Sequence, residues 1–131
     1  MITVPDASAV VEILLQTAAA APHTSKLLAR DAACHAPHLL DVEVAQVLRR
    51  LCAAGEIEEQ RAKDALTDLG DLPLERYPHE LLLPRAWELR RNLTIYDAVY
   101  VALAELLQAP LLTRDHRLAA APGHAAEVEL F

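Results

Sequence analysis

The sequence predicts an α/β protein, a short and mostly parallel five-stranded sheet with helices on both faces. Three observations carry this. Five short apolar or β-branched runs alternate with helical stretches, the pattern that builds parallel sheets. The 131 residues are 53% hydrophobic, enough to bury one core, and no linker or repeat divides them, so one domain is expected over 1–131. Asp6, Glu43, Asp97 and Asp115 each stand where a strand ends or a helix begins, positions that share one edge of a parallel sheet.

In chain order, Met1 to Pro5 is a β-branched strand that Pro5 closes, since proline cannot donate a ladder bond. The next run, ASAVVEILLQTAAAA, has helical spacing of Val10, Val11, Leu14, Leu15 and Ala18, with Asp6 or Ser8 as its cap. Asp6 has two readings here, a helix cap or an acid at the ligand-binding end of a strand. Pro22 to Asp31 reads as a second helix with Leu27 and Leu28 inward, and Ala33 to Ala36 as the second strand. The segment LLDVEVAQVLRRLCAAG is a helix with a Val44, Val47, Leu48 and Leu51 stripe, Asp41 as a cap and Gly55 as its stop. Glu43 lies in its first turn, where an acid can simply complement the helix dipole. Glu56 to Leu69 is an amphipathic helix with a charged outer face, and residues 72 to 78 form a proline-bounded edge strand. His79 to Arg91 is helical in one or two pieces because of Pro84, with Trp87 and Leu89 inward. AAEVELF supplies the last strand.

Asn92 to Ala119 is the most informative stretch. A helix from Asp97 to Gln108 climbs ~17 Å. Ala109-Pro110 reverses the chain, and the strand running up to Asp115 returns ~17 Å. Asp97 and Asp115 then finish at the same end. Like charges brought together raise one another's pKa and call for a positive group between them.

Composition excludes several alternatives. No apolar run reaches the ~20 residues of a membrane span, and no basic segment precedes an apolar one as in a secretory signal. Cys34 and Cys52 lack a metal-ligand spacing and read as reduced and buried, so a cytoplasmic setting without membrane contact is expected. With 19 acidic against 12 basic residues the net charge is −7, unusual for a nucleic-acid binder unless the basic residues cluster. The histidines show no paired zinc spacing. Neither a glycine-rich phosphate loop nor a serine nucleophile elbow is present. Four gathered carboxylates suit a hard divalent cation, Mg²⁺ or Mn²⁺, which in turn suggests phosphoryl chemistry.

Three segments, PDASAVVEILL, APHLLDVEVAQVLRR and LTIYDAVYVALAELLQAPLLTRDHRLA, resemble the PIN-domain ribonucleases, and within them the VapC toxins of bacterial toxin–antitoxin pairs. They cover roughly half the chain in the family's order, and YDAVYVALAE followed by LLTRD is the most specific part. The resemblance implies a three-layer α/β/α sandwich, Mg²⁺- or Mn²⁺-dependent endoribonuclease activity, homodimerisation and inhibition by a VapB-type antitoxin. Mapped onto this sequence, the family's acidic quartet falls on Asp6, Glu43, Asp97 and Asp115, with the hydroxyls of Ser8, Thr94 and Thr113 around them. Asp41 is a competitor for the Glu43 position, but VEVAQVLRR aligns Glu43 one residue ahead of the core stripe.

RNA phosphates approaching such acids need basic residues nearby. Arg114, Arg117, Arg49 and Arg90 are the candidates, with Arg50 and Arg91 beside them, and Arg114 is foremost because it precedes Asp115 directly. Each has the alternative of a surface ion pair. Tyr96 is either a base-stacking or a packed ring, and His116 either a proton carrier or an exposed helix-start residue. Leu14, Leu15, Leu27 and Leu28 are expected to line the antitoxin groove or to belong to the core. Two other readings compete. A phosphoryl-transfer receiver or phosphatase-like domain needs a lysine near its last strands, and this chain has only Lys26 and Lys63. A non-catalytic PIN-like interaction module would be marked by a lost acid, and all four are present.

Overall fold

A computed structural model of the chain describes residues 2–29 and 33–131. The order of elements is β1 (Ile2–Pro5), α1 (Ala7–Leu14), α2 (Ala21–Leu27), β2 (Ala33–Pro37), α3 (Leu39–Ala53), α4 (Glu59–Asp71), β3 (Leu74–Tyr77), a single 3₁₀ turn (His79–Leu81), α5 (Leu83–Glu88), α6 (Ile95–Leu107), β4 (Leu111–Thr113), α7 (His116–Ala120) and β5 (Val128–Leu130). Met1 of the first predicted strand, and Asp31 at the end of the second predicted helix, lie outside the described residues.

The five strands form one sheet in the order β3-β2-β1-β4-β5. Every pairing is parallel, so the expected "mostly parallel" sheet is parallel throughout the described residues. The chain runs outward from β1 to one edge, then returns to place β4 on the other side. This reversal of direction leaves a crevice at the carboxyl ends of β1 and β4, where sheets of this kind bind ligands. The register Val4↔Leu111 and Pro5↔Leu112 sets the two strand ends level.

Neighbouring residues of a strand face opposite sides, and β4 shows it. Leu112 packs with Ala9, Ile13, Leu27 and Cys34 on one face, while Leu111 joins Val4 and the buried residues of α6. In α6, every residue from Ala98 to Ala104 is buried. A helix that is apolar all round belongs inside a layered fold, and α6 lies between α5 and strands β1, β2 and β4. Thr94 caps its start by accepting from the Asp97 backbone N–H at 3.1 Å. Gln108 ends it in the left-handed region (φ +52°), and Pro110 prevents any continuation. Helix α3 ends on Gly55 (φ +74°), whose amide donates to the Cys52 carbonyl while that of Glu56 donates to Leu51. That double bond closes the last carbonyls in a Schellman turn, for which glycine is the residue of least strain. Among the described residues, no helix is long and apolar enough to cross a membrane.

Several local expectations are corrected. Helix α1 stops at Leu14 and Gln16 takes a positive φ, so the alanine run does not extend α1; Ala18 to Ala20 form a turn and only Ala21 enters α2. Trp87 points outward, 60% exposed, because the Leu82, Ala86, Leu89 and Leu93 spacing takes the inner face of the segment. Leu28 is 46% exposed, one position past the buried Leu27. Asp41 does not cap α3; His38 occupies the cap position without a side-chain bond, and Asp41 instead accepts two bonds from Arg76 of β3 at 2.7 and 2.9 Å. Cys34 is buried as expected, whereas Cys52 is half-buried, and both are thiols.

The packing of α6 sets a stability test. Leu103 is fully buried and Leu106, on the same helix, is 61% exposed. Leu103→Ala is expected to lower the unfolding free energy by about 2–5 kcal/mol. Leu106→Ala is expected to change it by no more than about 0.5 kcal/mol. Urea titrations followed by circular dichroism measure both.

Candidate active site

Four elements deliver the acids. Asp6 leaves the end of β1, Glu43 stands in the opening turns of α3, Asp97 lies in the first turn of α6, and Asp115 follows β4. All four line one open cleft of about 780 Å³. Asp6 settles its two readings by being both. Its carboxylate caps α1 through the Ala9 N–H at 3.0 Å, and it also lines the cleft. Only 7% exposed, it is the most deeply set of the four.

The hydroxyls named from the sequence hold these acids in place. Ser8 Oγ donates to Asp6 Oδ1 at 2.5 Å and accepts from the Arg114 amide at 2.9 Å. Thr113 is fully buried; its hydroxyl donates to Asp6 Oδ2 and accepts from the Asp115 amide at 3.0 Å. One side chain thus ties the end of β1 to the residue that follows β4. Thr94 serves Asp97 by capping its helix. Asp115 caps α7 by accepting from the Arg117 amide at 2.9 Å and pairs with the Arg117 guanidinium at 3.2 Å.

Burial first, and neighbouring charge after it, raises the pKa of Asp6, Glu43 and Asp97. Burial pushes Asp6 above its usual range, resisted by the bonds from Ser8, Thr113 and Ala9 and reinforced by the charge of Asp115. Burial also raises Glu43, opposed by a bond from Tyr100 and reinforced by Asp97 and Asp6. Asp97 rises for the same first reason, with Asp115 and Asp6 adding to it and Thr94 and Arg117 resisting. Three acids are therefore held in a setting that disfavours their charged forms. Such a setting is costly for stability and typical of functional sites.

Among the described residues, no three His, Cys, Asp or Glu side chains converge tightly enough to enclose a metal ion. The acids form an open, oxygen-only wall and not a closed cage. Mg²⁺ sites of the open kind draw most of their ligands from water and substrate.

Beyond the acids, Val11, Leu15, Leu39, Val47, Leu51 and Ile57 make an apolar wall continuous with them. Of the four leucines expected in a groove, only Leu15 lines it; Leu14 and Leu27 are core and Leu28 is exposed. Among the arginines, Arg114 and Arg50 reach the cleft. Arg114 sits between Glu12, 3.8 Å away, and the Phe131 ring, 5.2 Å from its centroid. Arg117 is engaged with Asp115, Arg49 with Gln46, and Arg90 lies 4.6 Å over the Trp87 ring. Arg49 and Arg90 do not line the cleft. Tyr96 is 64% exposed at its rim, an open ring and not a packed one, and His116 is exposed at the start of α7. Polar cleft residues not singled out as site residues from the sequence are Glu12, Thr17, Gln46, Glu56 and Tyr100. Tyr100 stands three positions after Asp97 on one helix, a spacing that places two side chains on the same face. That spacing was the available signal.

Comparison with known proteins agrees with this geometry. The PIN domain family model matches residues 3–123. The chain is 49% identical over 128 residues to Ribonuclease VapC1 of Mycobacterium tuberculosis, spanning 97% of this chain and 96% of the relative. It is 41% identical over 125 residues to Ribonuclease VapC12 of the same organism, covering 95% of each. Among solved structures, PAE2754 from Pyrobaculum aerophilum superposes with a TM-score of 0.68 at 25% identity, covering 96% of this chain and 81% of that one. With the family model covering nearly the whole chain and close relatives matching end to end, this protein belongs to the PIN-domain family, in its VapC ribonuclease branch.

Proposed function

We propose that the protein is an endoribonuclease, the toxin of a toxin–antitoxin pair, hydrolysing RNA phosphodiester bonds at the Asp6, Glu43, Asp97 and Asp115 cleft with Mg²⁺ or Mn²⁺. The observation that carries this reading is the convergence of four carboxylates, from four elements, on the crevice between β1 and β4. Its relatives' names, Ribonuclease VapC1 and Ribonuclease VapC12, support the reaction class.

The residues fit a hard divalent cation. Every acidic donor is a carboxylate oxygen, no cysteine or histidine lines the cleft, and three of the acids carry raised pKa values that a cation would relieve. Asp6 and Asp97 would be the principal ligands, with Glu43 and Asp115 binding directly or through water. A divalent ion held there supplies Lewis acidity, offsetting charge on the phosphate and making water nucleophilic at neutral pH. The chain's own part is positional. Ser8 and Thr113 fix both oxygens of Asp6, and Thr94 fixes the start of α6 and with it Asp97. Hydrolysis adds water at phosphorus and releases the ribose 3′-oxygen. Arg114 and Arg50, at the cleft, receive the flanking phosphates.

The apolar wall running from Ile57 to Val11 supports an antitoxin of VapB type as the partner. An amphipathic helix or extended segment would lay its apolar side there and carry a basic residue toward the acids. Two neighbours in fold alone carry toxin–antitoxin names. One is VapBC2 from Rickettsia felis, with a TM-score of 0.70 at 14% identity; the other is a toxin–antitoxin complex from Klebsiella pneumoniae, at 0.56 and 19%. A homodimer and a cytoplasmic setting complete the proposal on the family resemblance, and light scattering of the purified chain tests the dimer.

The main test is Asp97→Asn, which removes a charge but keeps the shape and the Thr94 cap. Metal-dependent cleavage of RNA is expected to fall at least ~100-fold, the scale of losing one charge-stabilising group. Cleavage at the wild-type rate would sink the assignment. The same substitution is expected to stabilise the metal-free protein. A carboxyl whose folded pKa lies above its unfolded value favours folding when protonated, so its contribution declines as pH rises through the unfolded pKa of about 3.8 and beyond. At pH 7 the variant should therefore melt higher than wild type, by about 4 °C for each ~1 kcal/mol relieved. Differential scanning calorimetry at neutral and acidic pH reads the gap, which should narrow toward the acid end.

A second test separates the arginines. Arg114→Ala is expected to weaken RNA binding and to reduce the slope of log affinity against log salt by about 1. Arg90→Ala, whose guanidinium rests on Trp87, should leave that slope unchanged. Filter binding at several salt concentrations measures both.

A further inference from the structure

Among the described residues, Tyr100 is the largest fully buried side chain, 1% exposed in a helix whose other buried residues are Val, Leu and Ala. A phenylalanine would fill that space without bringing a hydroxyl into the core, and a buried hydroxyl requires a partner. The partner is Glu43. Tyr100 Oη donates to Glu43 Oε1 at 2.6 Å, joining α6 to α3 across 57 residues of sequence. The tyrosine thus spans from the core to the wall of the acid cleft, which it also lines.

The four carboxylates differ in how they are fixed. Asp6 has two hydroxyls and a backbone amide. Asp115 has the Arg117 amide and guanidinium. Asp97 is short and sits in a capped first turn. Glu43 has one more rotatable bond than any aspartate, and among the described residues its carboxylate has a single hydrogen-bond partner, Tyr100. Without that bond it would sample several rotamers along the open cleft.

We propose that Tyr100 is a positioning residue, its hydroxyl holding the Glu43 carboxylate beside Asp97 and Asp6 so that the acids present one site to a divalent cation. This rests on the metal reading of the cleft and deepens it by assigning a residue that touches neither metal nor RNA. Partners of this outer kind typically change metal affinity by ~10- to 100-fold when removed. The competing role is purely architectural, a tie between two helices.

Titration of the full chain with Mn²⁺ alone, following free Mn²⁺ by electron paramagnetic resonance, separates the two roles without any activity measurement. Tyr100→Phe keeps the ring and removes only the hydroxyl. It is expected to bind Mn²⁺ about 10-fold more weakly. In a Glu43→Gln background the same change is expected to cause no further loss, because the two residues act as one unit. A lowered melting temperature with wild-type Mn²⁺ affinity would show the tie to be architectural and overturn the proposal. So would losses that simply multiply in the double variant. If the wild-type chain itself fails to bind Mn²⁺, the metal reading falls and Tyr100 with it. If wild type binds and Tyr100→Phe binds equally, only the Tyr100 assignment falls.

Discussion

The pairing of β1 with β4 is the constraint on which the molecule depends. Two register pairs and the bond from the Asp6 amide to the Leu112 carbonyl at 3.0 Å bring together strands separated by most of the chain. Their side chains then demand cover on both faces. One face is closed by α1 and α2, the other by a helix so enclosed that seven consecutive residues are buried. The same pairing sets the carboxyl ends of the two strands side by side, which is why the Thr113 hydroxyl can reach Asp6. Fold and site are consequences of a single register.

Holding four carboxylates at that edge works against folding. Burial and mutual repulsion raise three of them, and only directed hydrogen bonds and Arg117 answer this within the chain. The supports are local and specific: Ser8 two residues from Asp6, Thr94 three before Asp97, Thr113 two before Asp115. Two supports come from afar: Thr113 of β4 reaches Asp6, and Glu43 is held only from another helix. The rest of the molecule compensates conventionally, with a continuous core and with bidentate ties such as Arg76 to Asp41.

What the sequence revealed follows from the range of the interactions involved. Strand–helix alternation and the position of each acid at an element boundary depend on local pattern, and all five strands and the positions of the four acids could be read from it. The hydroxyls of Ser8, Thr94 and Thr113 came from the family resemblance; Ser8 and Thr94 act within three residues of their acids, whereas the bond from Thr113 to Asp6 spans 107 positions and no local pattern shows it. The outward turn of Trp87 was not, because size suggested burial while a Leu and Ala stripe beside it already filled the inner face. The Tyr100–Glu43 bond was hidden because its ends stand 57 positions apart. Which arginines reach the cleft, Arg50 and not Arg49, is decided by the rotation of α3 against its neighbours.

The double duty of some acids bears on how such a protein can drift over evolutionary time. Asp6 and Asp115 are helix caps as well as cleft residues, so a change at either disturbs a helix along with the chemistry. Asp97 carries no such burden, because Thr94 caps α6, whereas Glu43 accepts the bond of the buried Tyr100 hydroxyl. A lineage released from the need to cut RNA would therefore shed Asp97 first and keep Asp6 and Asp115 for the sake of the fold. An intact acid at position 6 in a divergent copy is then weak testimony to activity, and an intact acid at 97 is strong.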